Sequence, residues 1–173
     1  MGLSFGQLMN SPIGPLSFAA GDLGLQGVAF MELDEYKPLF ENLEENPSLF
    51  GWDTVRLLID EINTYLAGLL REFSITIDWS NITGFQEQVL RYTYEIPYGQ
   101  VFSYGEIAKQ LGKPGAARAV GTALARNPIP IVIPCHRVIG SDRGLHGFGG
   151  GLNVKAFLLT LEGHTIVNNK LIS

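Results

Sequence analysis

Residues 103–126, which decide the fold of the C-terminal half, read SYGEIAKQLGKPGAARAVGTALAR. Ser103 stands three residues before Glu106, the spacing of a capping box, and this predicts a helix over residues 103–111. The GKPG motif ends that helix, and a second helix is predicted over residues 116–126. Two short helices joined by a glycine-containing turn are typical of a helix-turn-helix, although helical hairpins that bind no DNA share the pattern.

The second of these helices is rich in alanine and carries only two charged side chains, Arg118 and Arg126. A helix that reads base edges usually presents Asn, Gln, Arg and Ser. This helix instead offers close backbone approach, for example at Ala117, and two cations suited to phosphates, which predicts weak sequence preference. The major groove is the default for a helix-turn-helix, but small side chains also suit a narrow groove, and both remain open.

Outward from this motif, the remaining C-terminal segments are mostly helical. Residues 85–96 have helical apolar spacing, and so do residues 154–161, where Phe157, Leu158 and Leu161 are the predicted core positions. Between the helices lies the GFGGG segment at 147–151, a loop in which backbone can approach a ligand closely.

The N-terminal half predicts a small α+β scaffold without recognisable chemistry. Residues 12–31 predict a β-hairpin around a turn at 21–24. Residues 32–52 are acidic and irregular, and residues 53–73 have the apolar spacing of a long helix. Ile75 and Ile77 alternate with polar residues and predict a strand. We therefore expect an α+β protein with two domains, a scaffold at 1–82 and a functional domain at 83–173.

Composition supports a compact folded protein with an uneven charge. The chain has 173 residues, 46% apolar and 17% charged, with a net charge of −5. Residues 1–82 hold 3 basic and 12 acidic side chains (3 − 12 = −9), whereas residues 83–173 hold 9 and 5 (9 − 5 = +4). This asymmetry permits DNA to approach the C-terminal half. No signal peptide or long apolar run is evident, which favours the cytoplasm of a prokaryote or the nucleus of a eukaryote.

The chain has one cysteine, in the segment PIVIPCHRVI at 130–139. A single cysteine excludes an internal disulfide and a cysteine-rich zinc site. The thiolate is the nucleophilic form, and the neighbouring His136 and Arg137 supply an imidazole and a cation that could favour it. Adjacent residues of a strand point to opposite faces, so His136 can act on Cys135 only if the chain turns here or a water relays the proton. Glu162 is the candidate to orient the imidazole.

Together, IPCHRVI, the preceding AARAVG and RNP, and the following GGGL and LEGH resemble the O6-alkylguanine-DNA alkyltransferase family. The resemblance is dense over residues 85–164. It implies a winged-helix-like C-terminal domain that flips O6-alkylguanine out of duplex DNA and moves the alkyl group, once and irreversibly, onto a cysteine. It also implies a monomer without cofactor or metal, acting on DNA that carries O6-alkylguanine, with O4-alkylthymine open as a second lesion.

Carried over by position, the resemblance assigns the chemistry to four side chains. Cys135 is the alkyl acceptor, and His136 takes its proton through a water while hydrogen-bonded to Glu162. Tyr104 contacts the rotated phosphate or protonates the departing guanine at N3.

Further positions are assigned to DNA and to the pocket. Arg118 fills the space left by the flipped nucleotide or contacts phosphate only, and Asn127 braces the turn that holds Cys135. Backbone groups of Cys135, Val138 and Gly149 read the guanine. Phe148 and Gly149 stand where some relatives have Tyr and Ser, which predicts a roomier pocket that tolerates bulkier alkyl groups.

Three rival functions stay open on the sequence. Alkyltransferase-like proteins bind the lesion without chemistry, but they lack a cysteine at the position of Cys135. A thiol hydrolase using Cys135 and His136 would turn over and leaves Arg118 unexplained. A redox-sensing transcription regulator needs sequence-specific contacts that the alanine-rich helix does not offer.

Overall fold

The computed structural model describes residues 2–39 and 49–173. These divide into two compact units, with the boundary along the chain between Asn81 and Ile82. The predicted α+β class is confirmed: small sheets and helices occur in both units. The division falls one residue before the boundary expected at 82/83.

The N-terminal unit is built on a three-stranded antiparallel sheet in the order β1–β2–β3, comprising Ser4–Leu8, Leu16–Gly21 and Gly24–Ala29. The expected hairpin is β2–β3, and β1 pairs on its other side, an element the sequence patterns did not reveal. Strand β2 is buried along its whole length because it is the central strand. A short helix α1 (Leu33–Tyr36) and a 3₁₀ turn (Lys37–Leu39) occupy the start of the acidic segment, and its residues 40–48 lie outside the described residues.

The long helix α2 spans Leu49–Leu66, so the prediction of residues 53–73 was wrong at both ends. Gly68 adopts a positive φ of 75° and its N–H donates to the Tyr65 carbonyl, which closes the helix early. Leu69 is consequently 80% exposed instead of lying on the buried face. The predicted strand at 75–77 is reduced to a single parallel bridge between Ile77 and Leu25.

The C-terminal unit is mostly helical, with α3 (Gly84–Tyr94), α4 (Tyr104–Gln110), α5 (Ala117–Ala125) and α6 (Leu152–Leu161). The predicted capping box is present, because the Ser103 hydroxyl accepts from the Glu106 N–H and the Glu106 carboxylate accepts from the Ser103 N–H. Helices α4 and α5 pack on each other and form the predicted helix pair.

Four two-residue strands and one 3₁₀ turn complete this unit. The two-residue strands β4 (Phe102–Ser103) and β5 (Val138–Ile139) pair in parallel, while β6 (Ile166–Val167) and β7 (Lys170–Leu171) form an antiparallel pair. A 3₁₀ turn at Cys135–Arg137 leads directly into β5. The start of α4 and the chain around Cys135 are thereby held side by side through β4 and β5.

Candidate active site

The cysteine lies on a tight turn that the chain reaches through a strained corner. Pro130 and Ile133 form a bridge, and Ile131 between them has φ of 75°, which is rare for a β-branched residue. Asn127 fastens this corner, since its Nδ2 donates to the Ile133 carbonyl at 3.0 Å and its Oδ1 accepts from the Ile129 N–H at 3.0 Å. The turn exposes only 8% of Cys135.

Cys135 borders a cavity of about 220 Å³. The cavity is lined from α4, α5, the cysteine turn and the glycine loop by Tyr104, Gly121, Leu124, Ala125, Cys135, Gly147, Phe148 and Gly149. Gly121 of α5 faces Tyr104, and a methyl group at this position would lie in van der Waals contact with the tyrosine ring, at 3.8 Å. The structure therefore brings three of the predicted site residues, Tyr104, Phe148 and Gly149, to the cavity that Cys135 borders.

His136 is fully buried and its Nε2 lies 3.0 Å from Oε1 of Glu162. The same carboxylate accepts from Arg137 through Nε (2.9 and 3.1 Å) and Nη2 (2.8 Å), and from the Gly99 N–H at 3.2 Å. Arg137 Nη1 also donates to the Ile96 carbonyl. The predicted His136–Glu162 pair is present, and Arg137 joins it as a third member.

The guanidinium of Arg137 affects the protonation states of Glu162 and His136. Burial alone would raise the pKa of Glu162, but hydrogen bonds from His136 and Arg137 and the charge of the Arg137 guanidinium outweigh burial and hold that pKa far below its usual range. Burial lowers the pKa of His136, against the opposing pull of Glu162. The resting site therefore contains a neutral imidazole oriented by an ionised carboxylate whose charge Arg137 already balances.

The cation near Cys135 is a different one from the predicted Arg137. Lys155, on α6, is completely buried, and its Nζ donates to the carbonyls of Val138 (2.6 Å) and His146 (3.0 Å). Burial raises the pKa of the Cys135 thiol, while a hydrogen bond from Asn127 and the charge of Lys155 act in the opposite direction. The expectation that Arg137 favours the thiolate was wrong, because its guanidinium is committed to Glu162.

Tyr104 begins α4 and is half-buried beside the sulfur. Burial raises its pKa, and the charge of a Cys135 thiolate raises it further, so the phenol keeps its proton. A protonated phenol at the rim of the cavity can donate a hydrogen bond to a bound group.

The helix predicted to approach DNA presents its basic side chains to solvent. Arg118 and Arg126 are exposed on α5, and Ala117 is partly exposed at its first turn. The carbonyl of Arg126 accepts from Gln86 Nε2 at 2.8 Å, which ties the end of α5 to α3. Both guanidinium groups are therefore accessible to a polyanion.

Val138 is fully buried behind the cavity, and both of its backbone groups have partners within the chain. Its N–H donates to the Cys135 carbonyl and its carbonyl accepts from Lys155. A carbonyl has a second lone pair, so a contact between Val138 and guanine stays a prediction.

No group of three or more His, Cys, Asp or Glu that could hold a metal ion occurs among residues 2–39 and 49–173. Within those same ranges, no helix has the length and apolar character needed to cross a bilayer.

Sequence patterns missed Lys155 and misplaced the inner face of α6. The buried face carries Lys155, Leu158, Leu159 and Glu162, whereas Phe157 is 36% exposed. These four positions follow the i, i+3, i+4, i+7 spacing, but a lysine in the first place made an apolar-only pattern select the neighbouring face. Lys155 and Glu162 sharing that face was the available signal.

Comparison with known proteins defines the class of this site. Residues 84–164 match the family model described as the 6-O-methylguanine DNA methyltransferase DNA-binding domain. The chain belongs to the methylated-DNA–protein-cysteine methyltransferase family: it is 45% identical over 154 residues to the member from Mycobacterium tuberculosis, covering 89% of each chain. The member from the archaeon Methanosarcina acetivorans is 42% identical over 156 residues, covering 90% of this chain and 96% of the relative.

Solved structures agree with this assignment. The O6-methylguanine methyltransferase of Mycobacterium tuberculosis superposes with a TM-score of 0.78 at 43% identity, covering 92% of each chain. The same bacterium's OGT in complex with DNA superposes with a TM-score of 0.77 at 44% identity, covering 91% of this chain and 92% of the other.

Proposed function

We propose that this protein repairs DNA by transferring the alkyl group of O6-alkylguanine to its own Cys135, once per molecule. The observation that carries the proposal is a single cysteine bordering a cavity beside a buried imidazole–carboxylate pair, in a chain of the methylated-DNA–protein-cysteine methyltransferase family. The partner is double-stranded DNA. The protein needs no cofactor for this reaction and acts as a monomer in the compartment that holds the genome, the cytoplasm if the cell is prokaryotic.

Access to the lesion requires extrusion of the nucleotide. The O6 substituent lies within the base stack, where the recessed Cys135 sulfur cannot reach it, so the base enters the cavity flipped out at a cost of a few kcal/mol. Helix α5 supplies the approach, with small side chains such as Ala117 and the exposed cations Arg118 and Arg126. Arg118 fills the vacated space and offsets part of the cost.

Transfer is a displacement at carbon. The Cys135 thiol gives its proton to neutral His136 through a water, and Glu162 holds the imidazole in position. The sulfur then forms a bond to the alkyl carbon as the bond from that carbon to O6 breaks, and the electron pair passes to guanine. Tyr104, protonated before the reaction, donates its phenolic proton to guanine N3 as that charge arrives, and solvent then returns a proton to the tyrosinate. Backbone groups of Val138 and Gly149 hold the base.

A single turnover follows from the product. The thioether on Cys135 is stable, and a neutral buried imidazole cannot expel an alkyl group from sulfur. Restored guanine leaves and the protein is spent. This distinguishes the proposal from a thiol hydrolase, which would regenerate its cysteine.

The test is intact-mass spectrometry after incubation with a duplex containing one O6-methylguanine, with Cys135→Ala and an unmodified duplex as controls. We expect wild type to gain the mass of one methyl group in place of the thiol hydrogen, saturating at one per chain, and the variant to gain none. Bound duplex without a mass gain would contradict the proposal and favour a lesion-binding module. More than one demethylated duplex per chain would favour a hydrolase.

A further inference from the structure

Lys155 is a buried charge that the proposed reaction has not yet used. Its side chain is 0% exposed, and its Nζ donates to two neutral backbone carbonyls. Burying an ammonium group without a compensating anion is costly, so such a residue needs a reason to be there. The structure supplies one in the surroundings of the two acceptors.

The two carbonyls belong to different walls of the site. Val138 immediately follows the Cys135–Arg137 turn, and His146 immediately precedes the glycine loop that lines the cavity through Gly147 and Gly149. Lys155 therefore holds the chain after the nucleophile against the chain that forms the opposite wall. An ammonium group has three N–H donors, and these acceptors occupy two of them.

The charged and titratable groups around Lys155 come from the other elements of the site. Its Nζ lies 6.0 Å from the ring centroid of Tyr104 on α4, close enough for a cation–π contact. From the cysteine turn, Cys135 and His136 both respond to its charge, which lowers the pKa of each. The thiolate of Cys135 is the anion that would compensate the buried ammonium.

We propose that Lys155 is a positioning residue of the alkyl-transfer site, whose ammonium group ties the two walls of the cavity together and stabilises the Cys135 thiolate before it attacks. This inference rests on the proposed function. It adds no new step to the reaction: the thiol proton still passes to His136, and the ammonium keeps its protons throughout. Burial lowers the pKa of His136, the charge of Lys155 acts in the same direction, and the imidazole is therefore neutral and able to accept that proton.

The role has a signature in pH. Burial lowers the pKa of Lys155 to about 8, with the charge of Cys135 acting against that shift. The active form pairs a thiolate with an ammonium, and it is lost at low pH by protonation of sulfur and at high pH by deprotonation of Lys155. Two coupled groups of this kind produce a bell-shaped profile whose limbs belong to the pair.

The first experiment measures the thiol pKa of the single cysteine from the pH dependence of its alkylation by iodoacetamide, without DNA. Lys155→Met removes the charge and the hydrogen bonds, Lys155→Gln removes the charge but keeps N–H donors, and Lys170→Met removes one exposed charge from the same unit. We expect both Lys155 variants to raise the pKa of the thiol by about one unit, which slows alkylation at neutral pH about tenfold, and Lys170→Met to leave it unchanged.

The direction in which the pKa of the Cys135 thiol changes separates this role from a merely structural one. A site loosened by losing the two hydrogen bonds would expose Cys135, lower the pKa of its thiol and speed alkylation. Faster or unchanged alkylation in Lys155→Gln would overturn the inference.

The second experiment follows single-turnover transfer from a duplex containing O6-methylguanine, at saturating DNA, between pH 6 and 10 (a range of about two units on either side of the lysine pKa). We expect a bell-shaped profile for wild type and Lys170→Met, and a single rising limb for both Lys155 variants. If wild type transfers the methyl group and Lys155→Gln still shows a bell-shaped pH profile, the inference is overturned and the proposed function stands. Wild type that transfers nothing would instead overturn the proposed function.

Discussion

The two units of the molecule bury different kinds of side chain. In the N-terminal unit the core is apolar, made by β2 and α2 through residues such as Phe18, Leu58 and Ile62, and one carboxylate, Asp78, is buried in its described part. The C-terminal unit buries four side chains of ionisable types, His136, Arg137, Lys155 and Glu162, around its cysteine. Because buried charges are costly unless paired, this concentration marks where stability has been given up for chemistry.

Within the C-terminal unit, the buried charges also differ in their hydrogen-bond partners. At one end of the buried face of α6, Glu162 is matched by Arg137 and His136 in a closed hydrogen-bonded cluster. At the other end, Lys155 donates its hydrogen bonds to two neutral backbone carbonyls, those of Val138 and His146. In the proposed reaction the closed cluster orients the His136 base, and the Lys155 ammonium stabilises the Cys135 thiolate.

The largest expected effect comes from breaking the closed cluster. Glu162→Gln removes the carboxylate and leaves the buried Arg137 guanidinium without its counter-charge, so we expect a loss of about 3–5 kcal/mol in the free energy of unfolding. Transfer should slow as well, because a neutral amide no longer stabilises the positive charge that His136 gains when it accepts the thiol proton. Urea unfolding and single-turnover kinetics measure the two effects.

A matched control is Asp53→Asn, which neutralises a carboxylate of the other unit in an exposed pair with Arg56, where the side chains are 71% and 72% exposed. Its cost should stay within about 1 kcal/mol. Equal losses in the two variants would contradict the contrast between the units.

Removing an apolar side chain from the core of the N-terminal unit should lower the free energy of unfolding without changing the rate of alkyl transfer. Leu58 is fully buried on α2, so Leu58→Ala should cost about 2–5 kcal/mol of unfolding free energy. Leu57→Ala, the neighbouring position at 45% exposure, should change it by about 0.5 kcal/mol or less. The transfer rate per folded molecule should equal that of wild type in both, and a slower rate in Leu58→Ala would show that this unit contributes to the reaction.

The smallest expected effect concerns the alkyl group. Gly149 and Phe148 both line the cavity, and Gly149→Ser should narrow it. We expect the rate for O6-benzylguanine in DNA to fall relative to the rate for O6-methylguanine by about tenfold, a typical discrimination for a few added atoms. Gly150→Ser, the adjacent loop position outside the lining residues, serves as control, and an unchanged ratio in Gly149→Ser would show that Gly149 does not set alkyl preference.

Much of the local structure was predictable because local signals agreed. The Ser103–Glu106 capping box, the glycine break after α4 and the alanine-rich helix each specify their own backbone, and the structure confirms all three. Where a boundary depended on a single residue the prediction failed, as when Gly68 ended α2 before residue 73. Apolar spacing alone does not predict that the glycine after the last turn takes the left-handed conformation and ends the helix.

Local patterns in the chain indicated the class of fold, the helix pair, the candidate nucleophile and the candidate partner of its imidazole. Long-range packing selects the groups that meet: Arg137 donates to Glu162, 25 residues away, and Lys155 donates to the carbonyl of Val138, 17 residues away. Contacts of that range are invisible to helical or strand periodicity. They also set the protonation of the site, because the pKa of a buried group follows from how far it is desolvated and from the charges packed around it.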